Sequence, residues 1–284
     1  MAKDTFFRKK ATLNASGKLI DLSTSKVMGI INLTPDSFYA GSRKPLITDA
    51  LNQAGKMLGE GADFLDIGAY SSRPGAEDIS VQEETDRLIP VVEIISANYP
   101  DAIISVDTFR SKVAEAAINA GAHMINDISG GQLDDDMFNI IAKLQVPYIL
   151  MHMKGSPQNM NQLAHYDDAF NEVLDYFAER YHQLKALGVK DVIIDPGFGF
   201  AKKQEHSYAL MQRLQGFEIL QLPILAGVSR KRMVYNLLGI TAEEALNGTV
   251  VLNTIALTKG ANILRVHDVK EAVEAVRIFT AVNK

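Results

Sequence analysis

Cysteine is absent from the 284-residue sequence. Disulfide frameworks, thiolate metal sites and cysteine nucleophiles are excluded with it. No apolar run reaches the ~18 residues that a membrane span requires. The opening "MAKDTFFRKK" carries charge with no apolar stretch behind it, unlike a secretory signal. Long Ser, Gln or Pro tracts are also missing, and 47% hydrophobic against 22% charged residues is the balance of a folded chain. A formal net charge of −5 argues against a general nucleic-acid binder or a membrane-surface protein. Neither a GxGxxG turn, a Walker loop nor an HExxH pair occurs, and the six histidines are scattered. The expectation is a soluble, cytoplasmic protein with small-molecule partners and no nucleic-acid or membrane partner.

What is present is one phrase, repeated. A short apolar run ends in a polar residue, a Gly-containing loop follows, and then a helical pattern. The runs are "KVMGIIN" (26–32), "ADFLDIG" (62–68), "AIISVD" (102–107), "AHMIND" (122–127), "PYILMH" (147–152), "DVIIDPG" (191–197), "PILAGVS" (223–229) and "NILRVHD" (262–268). Each is rich in Ile, Val and Leu, as strands buried on both faces of a parallel sheet are. Between them, 113–122, 167–188 and 271–282 have helical spacing, the first two ending on Gly121 and Gly188. Eight strand–helix units point to an α/β fold of the (β/α)8 TIM-barrel type, favoured over a doubly wound open sheet because eight strands close a barrel. Alternation around Asn14–Gly17 predicts a β-hairpin that plugs the barrel bottom. The chain reads as one domain, 1–284, with 1–25 as an N-terminal extension and no fused second enzyme.

In such a barrel the C-terminal ends of the strands build the active site. Those ends carry Asn32, Asp66, Asp107, Asn126, Asp127, His152, Asp195, Ser229 to Arg232, Arg265 and His267. In "PILAGVSRKRMV" an apolar run delivers three cations at its end. If the strand stops at Val228, Ser229 opens a helix whose free N–H groups favour an anion, with Lys231 and Arg232 reinforcing that field. Arg265 and His267, two apart on a strand, share a face and form a candidate clamp for phosphate oxygens. Asp107 and Asp195 can each accept two hydrogen bonds from an amino-pyrimidine edge, and Asn126 can complete such an edge. A competing role for Asp107 is to cap the helix that "DTFRSK" opens. No metal cluster is visible, although Mg²⁺ held by Asn32 and substrate phosphates is compatible with the few protein ligands that ion uses.

Taken together, "MGIINLTPDSF" (28–38), "DIGAYSSRPGA" (66–76), "ISVDTFR" (104–110), "INDISGG" (125–131), "LMHMKG" (150–155), "DPGFGFAK" (195–202), "SRKR" (229–232) and "RVHD" (265–268) resemble the dihydropteroate synthase family of pterin-binding barrels. The resemblance implies condensation of 6-hydroxymethyl-7,8-dihydropterin diphosphate with 4-aminobenzoate, Mg²⁺ as cofactor, sulfonamide competition and a homodimer. It implies a pterin pocket at Asp107, Asn126, Asp195 and Lys231, and a diphosphate site at Asn32, with Mg²⁺, Ser72, Arg73, Arg265 and His267. Aminobenzoate would meet Phe38, Arg73, Pro74 and Phe200, with its carboxylate near Ser229 and Arg232. Asp107, Asp195, Lys231 and Arg73 would carry the catalytic work. Three departures stand out: Ser72 where Thr is frequent, Arg232 where Ser is frequent, and Ala40 where a loop Asp is common. The rival readings are a methyltetrahydrofolate-binding methyltransferase-type barrel, a Schiff-base aldolase using Lys231, and a non-catalytic pterin binder.

Overall fold

A computed structural model describes residues 12–33, 43–71 and 78–283. All eight apolar runs become parallel strands: β3 (Lys26–Asn32), β4 (Phe64–Gly68), β5 (Ile104–Asp107), β6 (Met124–Asp127), β7 (Tyr148–Met151), β8 (Val192–Asp195), β9 (Leu225–Ala226) and β10 (Ile263–Val266). They pair in the order β8-β7-β6-β5-β4-β3-β10-β9. The ends of that order meet: Ile194 pairs with Ile224 across a parallel bridge, and its N–H donates to Pro223 O at 2.9 Å. The sheet is therefore a barrel, with its thinnest seam at β9. Pro223 has no N–H to give to a ladder, which keeps the start of that run out of regular pairing.

Helices cover the outside: α1 (Arg43–Gly59), α2 (Val81–Asn98), α3 (Ser111–Asn119), α4 (Met137–Leu144), α5 (Ala169–Ala186), α6 (Gln204–Gln212), α7 (Arg232–Leu238), α8 (Leu246–Thr258) and α9 (Val269–Val282). The three helices expected from spacing are α3, α5 and α9. Asp168 caps α5 by accepting from Phe170 N and Asn171 N, and Gly188 leaves that helix at φ +82°, a conformation that costs a glycine little. Among the described residues no helix is long and apolar enough to cross a membrane.

Strand alternation divides the apolar side chains into layers. One face of the strands, with Val27, Ile31, Leu65, Ile67 and their equivalents, packs under the helices. The other face fills the barrel interior with Met28, Phe64, Met124, Ile149, Ile193, Leu225 and Ile263. Leu13, Ala15, Ile20 and Leu22 join this interior layer, and they come from the expected hairpin, β1 (Thr12–Ala15) paired antiparallel with β2 (Lys18–Asp21). Its turn places Ser16 at φ +51° and Gly17 at φ +89°, and Gly17 N donates to Asn14 Oδ1 at 2.8 Å. Burying each large aliphatic side chain of the hairpin is worth about 1.5–3 kcal/mol. Lys18 Nζ, 2.7 Å from Pro100 O, and Asn14 N, 3.3 Å from Asp191 Oδ2, fasten the hairpin to the loops entering β5 and β8. The N-terminal end of the barrel is thus sealed, which leaves the C-terminal mouth for chemistry.

Candidate active site

Two polar clusters stand on the strand ends at that mouth. The first is built around Arg265 of β10, whose neighbours come from strands far away in sequence. Its Nε donates to Asp66 Oδ2 at 2.6 Å and its Nη2 to Asp107 Oδ2 at 2.7 Å. Asn126 Nδ2 donates to the same Asp66 oxygen at 3.0 Å. Asp66 thereby fixes which way the Asn126 amide faces: one Nδ2 hydrogen is used inward, and Oδ1 is left to meet a donor. Asp66 Oδ1 is buried with no hydrogen-bond partner among the described residues. Burial pushes the Asp107 carboxyl up to about 7; Arg265 opposes that rise and Asp66 adds to it. The Arg265 guanidinium is disfavoured by burial, yet Asp66 and Asp107 hold it more firmly charged than usual.

The second cluster joins β8, the loop after it and the turn before α7. Asp195 Oδ1 accepts from Gly197 N at 2.8 Å. Lys231 Nζ donates to Phe198 O at 2.7 Å and lies 4.7 Å from the centre of the Phe200 ring. Burial lowers Lys231 to about 8, with Asp195 pulling the other way. Asp195 is raised by burial and held down chiefly by Lys231. The two clusters converge at Gly227. A Cβ built there would lie 3.6 Å from Lys231 Nζ, 3.7 Å from Asp195 Oδ2 and 4.0 Å from Arg265 Cβ. A glycine there keeps apolar bulk away from the meeting point of these groups, although a Cβ would make no more than ordinary contact.

Both clusters border a cleft of about 800 Å³, lined by Asn32, Asp107, Phe200, Lys231, Arg265 and His267 among others. Arg232 is exposed and also lines it, as does Ser229. An apolar patch of Phe109, Ile128, Met151, Met153, Met160 and Ala201, joined by Tyr70 and Phe200, packs beside the strand ends. A flat heterocycle with polar edges suits this combination of buried carboxylates, an amide and apolar walls.

Several expectations are corrected by this geometry. Ser229 does not open a helix. Seven-residue α7 begins at Arg232, with Lys231 in the capping position and no side-chain cap. The Ser229 hydroxyl is instead 3.1 Å from His267 Nδ1 and accepts from His267 N at 3.2 Å. Where the hydroxyl donates to Nδ1, the proton of the neutral ring is on Nε2; where it accepts from Nδ1–H, Nε2 is the acceptor. Burial, reinforced by Arg265, lowers His267 to about 4, so at neutral pH it offers a hydrogen bond, not a charge. Arg230 turns away, pairing with both oxygens of Asp268 and with Ala242 O and Glu243 O. Asp107 is no helix cap: Arg110 holds that position for α3. Arg265 and His267 both reach the cleft, but the Arg265 fork is committed to carboxylates, so a phosphate there would have to compete with them. Phe38, Ala40, Ser72, Arg73 and Pro74 lie outside the described residues.

The family model for pterin binding enzymes matches residues 28–267. Dihydropteroate synthase of Escherichia coli (strain K12) is 43% identical over 95% of this chain and 95% of its own length. The chain belongs to the dihydropteroate synthase family. Solved structures agree. Xanthomonas albilineans dihydropteroate synthase with 4-aminobenzoic acid superposes with a TM-score of 0.90 at 39% identity, covering 96% of this chain and 98% of that one. Yersinia pestis dihydropteroate synthase in a sulfonamide drug complex gives 0.90 at 42%, covering 96% and 99%.

Two polar residues of this dihydropteroate synthase mouth received no role from sequence reasoning. Asp66 was visible only as one strand-end carboxylate among several; its place under Arg265 and Asn126 depends on barrel closure. Lys202 sits in the quoted "DPGFGFAK" run, seven residues beyond β8, where a lysine reads as solvated. In the structure it is 8% exposed, and its Nζ is 2.9 Å from His152 Nδ1, 3.1 Å from His152 O and 3.0 Å from Phe200 O.

Proposed function

We propose that this dihydropteroate synthase family member condenses 6-hydroxymethyl-7,8-dihydropterin diphosphate with 4-aminobenzoate to give 7,8-dihydropteroate and diphosphate. The observation that carries this reading is the convergence of Asp195, Lys231 and Arg265 on Gly227, with Asp107 bonded to Arg265 and Asn126 joined to it through Asp66. Asp195 and Asp107 accept hydrogen bonds from the amino-pyrimidine edge, and Asn126 Oδ1, oriented by Asp66, accepts another. Lys231 neutralises Asp195 and stands between the pterin and Phe200, against which the arylamine packs. In the reaction the methylene carbon–oxygen bond breaks and diphosphate leaves with the electron pair. The amine nitrogen then bonds to that carbon and releases its proton to solvent. The weakly basic arylamine needs little deprotonation before attack, so positioning supplies much of the acceleration. The neutral His267 ring meets charge developing on the leaving group, and Arg265, held between Asp66 and Asp107, adds its positive field from below.

Among the described residues no group of three His, Asp or Glu side chains could hold a metal ion. Half-buried Asn32 at the cleft is a single neutral oxygen donor, which fits a Mg²⁺ carried mainly by the substrate's phosphates. When bound, the ion would neutralise phosphate charge. A homodimer is part of the same proposal, supported by exposed Leu237, Leu238, Val251 and Ile278 on α7, α8 and α9.

The test is diphosphate release by the purified chain with pterin diphosphate, Mg²⁺ and 4-aminobenzoate; release no faster than without enzyme rejects the proposal. A second prediction concerns pH. Asp107 must be ionised to accept from the pterin, and Lys231 must be charged to balance Asp195. Free-enzyme kcat/KM for the pterin substrate should therefore rise as pH passes about 7 and fall above about 8. A profile flat between about pH 6 and about pH 9 would contradict both assignments.

A further inference from the structure

We infer that Lys202 is a positioning residue for the arylamine end of the site: its amine ties the turn after β8 to the end of β7 and so holds Phe198 and Phe200 against Lys231. The inference rests on the function proposed above, since Phe200 and Lys231 are assigned there to the arylamine.

The turn has an unusual backbone. Gly197 has φ +68°, Gly199 φ +80° and Ala201 φ +48°. Ala201 is fully buried, and a residue with a Cβ pays roughly 1–2 kcal/mol for left-handed backbone. Contacts must hold it there. Lys202 Nζ reaches back to Phe200 O and across to His152 O and Nδ1, while Tyr166 OH donates to Ala201 O at 3.0 Å. The turn is pressed onto β7 so closely that a Cβ on Gly197 would sit 2.2 Å from His152 O. Its outward products are the two features that touch Lys231: the Phe198 carbonyl and the Phe200 ring.

Burying a lysine is costly, and apolar side chains of similar volume often pack such a place as well or better. Burial lowers the Lys202 amine well below its ordinary range, against the pull of Asp195. His152, likewise lowered by burial and by Lys202, is neutral, so its Nδ1 can accept from the amine. The charged and titratable groups facing Lys202 are Asp195 at the end of β8, His152 at the end of β7, Lys154 beyond it, His206 on α6, and Lys231 before α7. Asp195 in turn faces Lys231, Arg265 and Lys202. Removing the Lys202 cation therefore favours the neutral Asp195 carboxyl and raises the pH at which it ionises.

Lys202→Met and Lys202→Arg in the full chain, beside wild type, provide the test. The Met variant is expected to keep or raise its melting temperature. Its KM for 4-aminobenzoate should rise about ten-fold or more, with a smaller change for the pterin diphosphate. The acid limb of kcat/KM, set by Asp107 in wild type, should gain a second ionisation as Asp195 takes up its charge later, and the Arg variant should restore the wild-type limb. A Met variant with wild-type KM values and an unmoved acid limb overturns the inference, whatever its melting temperature. If the Met variant does not fold, Tyr166→Phe carries the test, because it removes the other tie to the turn. A several-fold higher KM for 4-aminobenzoate is expected, and an unchanged KM overturns the inference. Wild type that releases no diphosphate sinks the functional reading and this inference together. Wild-type turnover with indifferent variants sinks the inference alone.

Discussion

Asp195→Asn is expected to lower kcat/KM for the pterin diphosphate about 100- to 1,000-fold while leaving the fold intact. The carboxylate is proposed to accept two hydrogen bonds from the pterin edge, each worth about 1.5–3 kcal/mol when the acceptor is charged. An amide in its place keeps one acceptor and turns a donor toward a donor. Losing about 3–4 kcal/mol of this interaction corresponds to that range of rates. The fold should survive because burial already disfavours the Asp195 charge, so a neutral isostere removes a cost along with a contact. The Asn oxygen can still accept from Gly197 N, now 2.8 Å from Asp195 Oδ1. Steady-state kinetics with a thermal melt decide the matter, and turnover within about three-fold of wild type would show that the pterin does not lie on Asp195.

The contrast between Asp195 and Asp66 shows how far the sequence could be read. All eight strands were legible because a parallel barrel strand is buried on both faces and so appears as an unbroken apolar run. "PYILMH" and "DVIIDPG" needed nothing beyond that pattern. The hairpin was legible from alternation and from Asn14 and Gly17, both of which the turn uses. Asp195 stood out because Pro196 and Gly197 make a simple capping role poor. Asp66 gave no such signal. Its partners Arg265 and Asn126 lie 199 and 60 residues away, and the side of the barrel on which β10 meets β3 is decided only by closure. Ser229 failed for a related reason. A short polar residue after an apolar run reads as a helix start, but β9 is only two residues long and the chain makes a further turn before α7. Arg230 takes φ +51° in that turn and is drawn off to Asp268, so the three consecutive cations part company: Arg230 to Asp268, Lys231 inward to Phe198 O, and Arg232 to the exposed edge of the cleft.

Lys231→Ala is expected to weaken pterin binding about 100-fold and to do so through electrostatics more than through lost contact area. Truncation leaves Asp195 buried without its principal counter-charge, and an uncompensated buried charge costs about 3–5 kcal/mol unless it takes up a proton. Protonation is the cheaper outcome, since burial already pulls Asp195 that way. The acid form then donates where it must accept, and affinity falls until the pH is high enough to ionise it. The defect should therefore be worst at low pH and partly relieved at high pH; the mark of the pair is that the variant's own affinity climbs with pH, whereas wild type, whose Lys231 deprotonates near 8, weakens above that pH. The helix behind it should be unaffected, because Lys231 caps α7 without a side-chain bond. The Phe198 carbonyl loses its donor but gains access to water in the opened cleft. Pterin affinity measured by calorimetry across pH separates these effects. A variant that binds as tightly as wild type, or one whose loss is the same at every pH, would mean that Lys231 and Asp195 do not act as a pair.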